Sequence, residues 1–417
     1  MKKALLCCFA IIIAMWVAVS PAIASSPDKP GLLPTFYDVS ADEVVGPLGS
    51  IIKKDEIDAP DGAIAWRVVY RSQKASGVPV AVSGLIIRPK SAKKGDNLPV
   101  VSWAHGTVGG ARYCAPSNVP NPVSDFVGFP SFESTVPNDY GIPGLSAFIQ
   151  AGYVVVASDY QGLGAGDKHE YAVGQSQARN ALDIVTAARE LTPAGNKVVL
   201  LGWSQGGLAA VTAGEKAAYA PNLDVVGVAA LAPANPKSFL IPDIAKQSTG
   251  GPRIGRIILL NTAYAWAYPD LHLSDVFTDT GLKAADAASR QCMQQLSITG
   301  DTAGGDSVLF KANNNLDAWI ARLNKNAIGQ VESQIPVLVM QGTADNIIPA
   351  DSTDLYVRDA CKHDTPVFYI KYAGKDHRGL LPAAEADFTN WIADRFTEKS
   401  PPSNCPNAEV RLDIPDQ

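Results

Sequence analysis

Charge is sparse in this chain, and no run of lysine or arginine interrupts it. Asp, Glu, Lys and Arg together make up 18% of 417 residues, with a formal net charge of −6. An acidic balance without a basic stripe excludes nucleic acid as a partner class. Histidines are few, five in all, and cysteines number six. Beyond Cys7 and Cys8, none stands in a Cys-x-x-Cys or Cys/His spacing, so no metal site is expected. After residue 24 no apolar run reaches the length and purity of a membrane helix, which argues against a stable membrane anchor. Internal repeats and low-complexity tracts are also lacking. What is present is a globular composition, 47% hydrophobic, long enough for a large α/β domain with an insertion or for two domains.

The first 24 residues read as a secretory signal peptide. Lys2 and Lys3 precede an apolar run from Ala4 to Val19, and Ala22-Ile23-Ala24 supplies small residues at the cleavage site. The mature protein is therefore expected to be secreted or periplasmic. Export leaves four cysteines, Cys114, Cys292, Cys361 and Cys405, an even number in an oxidising compartment. Two disulfides are expected, and four cysteines permit three pairings.

Residues 25–60 are proline-rich and are expected to form an irregular arm. Ala63–Arg71 and Val78–Ile87 have the composition of an antiparallel hairpin. Further strands are predicted at Leu98–Trp103, Tyr153–Ser158, Val198–Leu201, Val225–Leu231, Val337–Met340 and Val367–Tyr372. Helices are predicted near 176–191, after Gly207, and over 383–395. Strands alternating with helices describe an α/β protein with a mostly parallel sheet flanked by helices. Between Pro233 and Ser333 that alternation stops. The expected organisation is a core over 25–232, a helical cap or lid inserted over 233–333, and a second part of the core over 334–417. Within the insert, Ile254–Tyr268 is conspicuously apolar and aromatic. It is suited equally to a wall of a lipid-accepting pocket or to the cap's own core.

The chemistry is carried by Gly202-Trp203-Ser204-Gln205-Gly206, set between an apolar β-branched run and an alanine-rich helical stretch. In that setting Gly-x-Ser-x-Gly marks a nucleophile elbow, with Ser204 at the tip of a turn too tight for side chains on its flanks. A serine becomes a strong nucleophile only beside a base that is itself oriented by a carboxylate. Among the histidines, His377 alone follows a late strand at its carboxyl end, which makes it the candidate base. His105, His169, His272 and His363 lie elsewhere. Asp345, just after the strand ending at Met340, is the candidate acid; Asp376 and Asp354 are weaker alternatives. The Gln205 amide at a helix N-terminus and an amide of the His105–Gly110 loop, from Gly106 or Thr107 with Thr107 preferred, are candidate oxyanion donors. Ser176, in Gly174-Gln175-Ser176-Gln177-Ala178, has no strand running into it and reads as a helix-start residue.

Several segments together resemble the secretory lipase family of α/β-hydrolases. They are Cys114-Ala115-Pro116-Ser117, Ser158–Gly164, Ala178–Asp183, Gly202–Gly207, Gly342-Thr343-Ala344-Asp345 and the Asp376-His377 loop. The resemblance implies an α/β-hydrolase fold and hydrolysis of acyl esters or triacylglycerols, without a cofactor, by Ser204, Asp345 and His377. It also implies the disulfides Cys114–Cys292 and Cys361–Cys405, and a lid that touches a lipid interface transiently. The rival readings are an exported esterase or acyltransferase for non-lipid esters and, from another class, a non-catalytic binding protein on the same scaffold.

Overall fold

The computed structural model describes residues 33–405, apart from 130–135, 137, 248–249 and 313–315. The signal peptide expected over 1–24 lies outside the described residues. The strands are β1 (Ile51–Ile57), β2 (Ala63–Gln73), β3 (Pro79–Pro89), β4 (Leu98–Ala104), β5 (Val154–Ser158), β6 (Ala194–Trp203), β7 (Asp224–Leu231), β8 (Val337–Gly342) and β9 (Val367–Tyr372). The helices that flank the sheet are α1 (Leu145–Gln150), α2 (Gly174–Ala188) and α3 (Gln205–Glu215). Between β7 and β8 lie α4 (Pro242–Ala245), α5 (Gly250–Ala267), α6 (Leu273–Val276), α7 (Asp279–Ala288), α8 (Met293–Thr302), α9 (Asp306–Leu309) and α10 (Asp317–Lys325). The last two helices are α11 (Ala350–Lys362) and α12 (Leu380–Phe396).

The nine strands form one sheet in the order β1-β2-β3-β5-β4-β6-β7-β8-β9. The first three pair antiparallel, β3 joins β5 antiparallel, and every pairing from β5 onward is parallel. Alternate residues of the central strands enter opposite layers, as the two-residue period of a strand requires. Val100, Val154, Val156, Val198 and Leu200 pack with Leu182, Val185, Leu208 and Val211 of α2 and α3. Val101, Val155, Val199 and Leu201 pack with Phe148 of α1 and Phe388, Trp391 and Ile392 of α12. Burial on both faces explains why these strands read as continuous apolar runs.

The structure corrects one expectation. Residues 51–57 are not irregular: they form the edge strand β1 on β2. Its sequence, Ile-Ile-Lys-Lys-Asp-Glu-Ile, has no clean alternation, because Lys54, Asp55 and Glu56 are exposed in a row and neither face is covered there. Backbone pairing with β2, rather than burial, makes it a strand.

In the stretch from β7 to β8, α5 lies against α8 at close range. A Cβ on Gly255 would meet the Leu296 carbonyl oxygen at 2.3 Å, and one on Gly300 the Gly251 oxygen at 1.9 Å. Small residues at these crossings let the two backbones touch. Cys114 is bonded to Cys292, with Cα atoms 5.5 Å apart, and Cys361 to Cys405, at 5.6 Å.

Candidate active site

Strand β6 ends at Trp203 and α3 begins at Gln205, which leaves a single residue for the reversal. Ser204 makes it with φ 59° and ψ −118°, outside the ordinary range of an L-residue. The strained turn fits only because its flanks lack side chains. A Cβ on Gly202 would lie 2.0 Å from the Gly206 oxygen, and one on Gly206 would lie 1.8 Å from the Ala104 oxygen. Backbone bonds pin the turn: Ser204 N–H donates to Leu231 O at 2.9 Å, and Ala234 N–H donates to Ser204 O at 3.0 Å.

Asp345 and His377 come from the loops after β8 and β9, two neighbouring parallel strands. His377 Nδ1 lies 2.7 Å from Asp345 Oδ2. The other carboxylate oxygen, Oδ1, accepts the amides of Ile347 at 2.8 Å and Ile348 at 2.9 Å. Burial pushes the Asp345 pKa up, but the charge and hydrogen bond of His377, with those two amides, outweigh it and hold the carboxyl below its usual value. Trp203, between the elbow glycine and serine, fixes the histidine loop from beneath. Its indole N–H donates to His377 O at 3.1 Å, and the two rings lie 4.7 Å apart.

Ser204 and His377 face one cavity of about 70 Å³, together with Thr107, Arg256 and Met293. Among the described residues no hydrogen bond joins the Ser204 hydroxyl to His377; such bonds often tighten only around substrate. A larger cavity of about 590 Å³ touches His377 but not Ser204.

Thr107 lines the Ser204 cavity, and its hydroxyl is 3.0 Å from the Tyr171 hydroxyl. Gly106 is pressed on Trp203 instead, where a Cβ would meet the indole at 2.5 Å. Gln205 opens α3, and its side-chain amide donates to His169 Nε2 at 3.0 Å. His169 Nδ1 in turn donates to Gln161 O at 3.0 Å. Burial drives the His169 pKa down to about 3, so the ring stays neutral and can accept from Gln205. Nothing in the sequence around His169 marks it for this role, because its partners are 8 and 36 residues away.

The alternatives are engaged elsewhere. Asp354 accepts from Tyr369 at 2.7 Å and Lys371 at 3.0 Å, and Asp376 accepts the Gly379 amide at 2.7 Å. Ser176 is the third residue of α2, fully buried. Sequence reading also misses Arg256 of α5 and the Arg378–Asp139 ion pair at 2.9 Å, both beside Ser204. Among the described residues no cluster of His, Cys, Asp or Glu could hold a metal ion, and no helix is long and apolar enough to cross a membrane.

A family model described as secretory lipase matches residues 128–404. The chain belongs to the secretory lipase family. It is thus a lipase-like hydrolase of carboxylic esters. This secretory lipase is 25% identical to Lipase A of Arthroderma benhamiae over 366 residues, 85% of this chain and 75% of that protein. Its fold is similar to that of Candida antarctica lipase A, with a TM-score of 0.70 at 20% identity, covering 92% of this chain and 90% of that one. It is also similar to the rice cell wall degrading esterase LipA from Xanthomonas oryzae, with a TM-score of 0.68 at 18% identity, covering 85% and 100%. The fold class is accordingly the α/β-hydrolase fold.

Proposed function

We propose that this secretory lipase cleaves acyl esters, triacylglycerols among them, through an acyl-enzyme on Ser204. The observation that carries the reading is the cavity shared by Ser204, on its positive-φ turn, and His377, whose far nitrogen is bonded to Asp345. His377 takes the Ser204 proton as the oxygen attacks the ester carbonyl. The Gln205 and Thr107 amides hold the oxyanion, and protonated His377 hands its proton to the leaving alcohol. Water then repeats the sequence on the acyl-enzyme and releases the acid.

In this reading residues 233–333 act as a cap on the core formed by 25–232 and 334–417. Among the described residues most of the exposed large apolar side chains belong to it: Phe239, Ile298, Val308, Leu316, Ile320 and Val331. Such a surface suits transient contact with a lipid interface. The pattern of residues 1–24 and the secretory character of the family support export, to the periplasm or beyond the cell.

A second reading, an esterase for short soluble esters, is favoured by the small volumes beside Ser204, about 50 and 70 Å³. One experiment separates them: p-nitrophenyl esters of increasing acyl length and emulsified triacylglycerol, on wild type and Ser204→Ala. The substitution is expected to lower kcat by at least about 10⁴-fold; full activity in the mutant would sink the mechanism. A rate that climbs once triacylglycerol exceeds its solubility supports the lipase, and a flat rate supports the esterase.

A further inference from the structure

A pocket built only for alkyl chains would expose no unpaired donors, since a buried donor without a partner is costly. The second cavity that Ser204 lines is different. Three of the residues that line it each carry a buried polar atom with no hydrogen-bond partner among the described residues: Arg256 at Nη2, Asn235 at Nδ2 and Ser352 at Oγ. They come from three separate elements: α5, the loop after β7, and α11. Asn235 and Ser352 are 2% and 1% exposed. The Asn235 carboxamide oxygen already accepts the Lys237 amide at 3.2 Å, which leaves its NH₂ as the free end.

Arg253 is paired with Asp306 at 3.2 Å and Arg378 with Asp139 at 2.9 Å, while Asp345, hydrogen-bonded to His377, acts on Arg256 through space. Among the described residues no carboxylate forms an ion pair with Arg256. Burial lowers the Arg256 pKa, opposed by Tyr171 and Asp345. A guanidinium nonetheless remains protonated across the working range of an enzyme. The cavity measures about 50 Å³, several times the roughly 10–15 Å³ that one water needs. That is room for a small polar group and too little for a long acyl chain.

The geometry points to a substrate whose ester is accompanied by a small anionic group, a carboxylate above all, that docks on Arg256, Asn235 and Ser352. A planar guanidinium offers parallel N–H donors that match the two oxygens of a carboxylate, and the amide and hydroxyl supply further donors. The inference rests on Ser204 as the nucleophile, and the hydrolytic step is unchanged by it. The anionic group belongs either to the acyl portion, as in a half-ester of a dicarboxylic acid, or to the alcohol portion.

Initial rates of acid release decide both points. For the acyl side the pair is monoethyl glutarate against ethyl hexanoate; for the alcohol side it is 4-acetoxybutanoate against pentyl acetate. In wild type at least one charged ester is expected to exceed its neutral partner in kcat/KM by tenfold or more, and the pair that does so identifies the side. Arg256→Met should lower that charged-to-neutral ratio at least tenfold, while Arg256→Lys keeps part of it. A role in folding alone would leave the ratio where it was. Ratios near or below one in wild type for both pairs, or a ratio untouched by Arg256→Met, overturn the inference. If Arg256→Met does not fold, Ser352→Ala reads the same ratio, with a fall of threefold or more expected and no fall counting against it. Ser204→Ala is run beside these on the neutral esters. Loss of their hydrolysis with no charge preference in wild type keeps the proposed mechanism and discards the anionic subsite. Hydrolysis that survives Ser204→Ala discards the mechanism itself.

Discussion

At the scale of single residues, the site depends on a few side chains and backbone angles that have little freedom. Ser204 sits in a backbone conformation that costs roughly 1–3 kcal/mol and persists because Leu231, Ala234 and the close approach of Gly206 to Ala104 fix it. Asp345 shows how much depends on one atom. In Asp345→Asn, the side-chain oxygen can keep the Ile347 and Ile348 amides, which turns the NH₂ toward His377 Nδ1. The ring then presents a lone pair on Nδ1 and carries its proton on Nε2, where it can no longer take one from Ser204. The expected result is a fall in kcat of about 10³–10⁴-fold at pH 8 in a protein that melts within a few degrees of wild type. Steady-state kinetics and thermal melting of the purified variant check both halves.

At the scale of elements, the loop 105–110 is clamped to the chain between β7 and β8. Met293 N–H donates to Val108 O at 2.8 Å, Gly110 N–H donates to Gln291 O at 2.9 Å, and the Cys114–Cys292 disulfide closes the junction. The proposed oxyanion donor Thr107 lies within that clamp. The Cys361–Cys405 disulfide instead ties the C-terminal segment to the end of α11, away from Ser204. Sequence separations of 178 and 44 residues correspond to about 5 and about 4 kcal/mol on a chain-entropy view. Removing either bridge by paired Cys→Ser substitution should therefore lower the Tm by comparable amounts. Loss of Cys114–Cys292 should in addition lower kcat about tenfold at a temperature where the variant is still folded, whereas loss of Cys361–Cys405 should change kcat by less than about twofold. Equal kinetic effects would show that the clamp does not position the loop.

At the scale of the whole molecule, two acids on the flanking helices, Asp183 buried in α2 and Glu215 half-buried in α3, make stability depend on pH. Glu215 accepts the Gly329 amide at 2.6 Å, and burial pushes its pKa up to about 7. Burial likewise raises Asp183, which accepts from Ser72 and Tyr219, to about 6. A folded-state pKa above the unfolded one means that the unfolded chain loses its proton first. The stability these groups contribute is complete at acidic pH and is lost as pH rises through about 6–7. His169 works in the opposite direction: its depressed pKa of about 3 removes stability as pH falls below about 6.5. The Glu215 contribution is isolated by difference. Glu215→Gln should melt close to wild type at pH 5 and above it at pH 8, by an amount that reflects up to about 3 kcal/mol. A Tm difference that is constant from pH 5 to pH 8 would rule out the shift.

The sequence alone specified what is local or ordered along the chain. Apolar runs marked the central strands, because residues buried on both faces of a parallel sheet leave no alternation to misread. The glycine spacing around Ser204 marked the elbow, because the backbone there has no room for a Cβ. The order of Ser204, Asp345 and His377 after the ends of β6, β8 and β9 singled them out, since the ends of parallel strands gather at one edge of the sheet. The edge strand β1 was not legible, for its pairing leaves no burial pattern. Nor was the His169–Gln205 bond, which joins the loop after β5 to the first turn of α3 with no shared motif. Only the tertiary structure decided which donors around Ser204 are paired and which are left open. Arg253 and Arg256 sit one helical turn apart with the same side chain; Asp306 reaches the first, and the second is left facing the cavity. That difference is set by where α9 brings Asp306 to α5, across a sequence separation of 53 residues that no local pattern encodes.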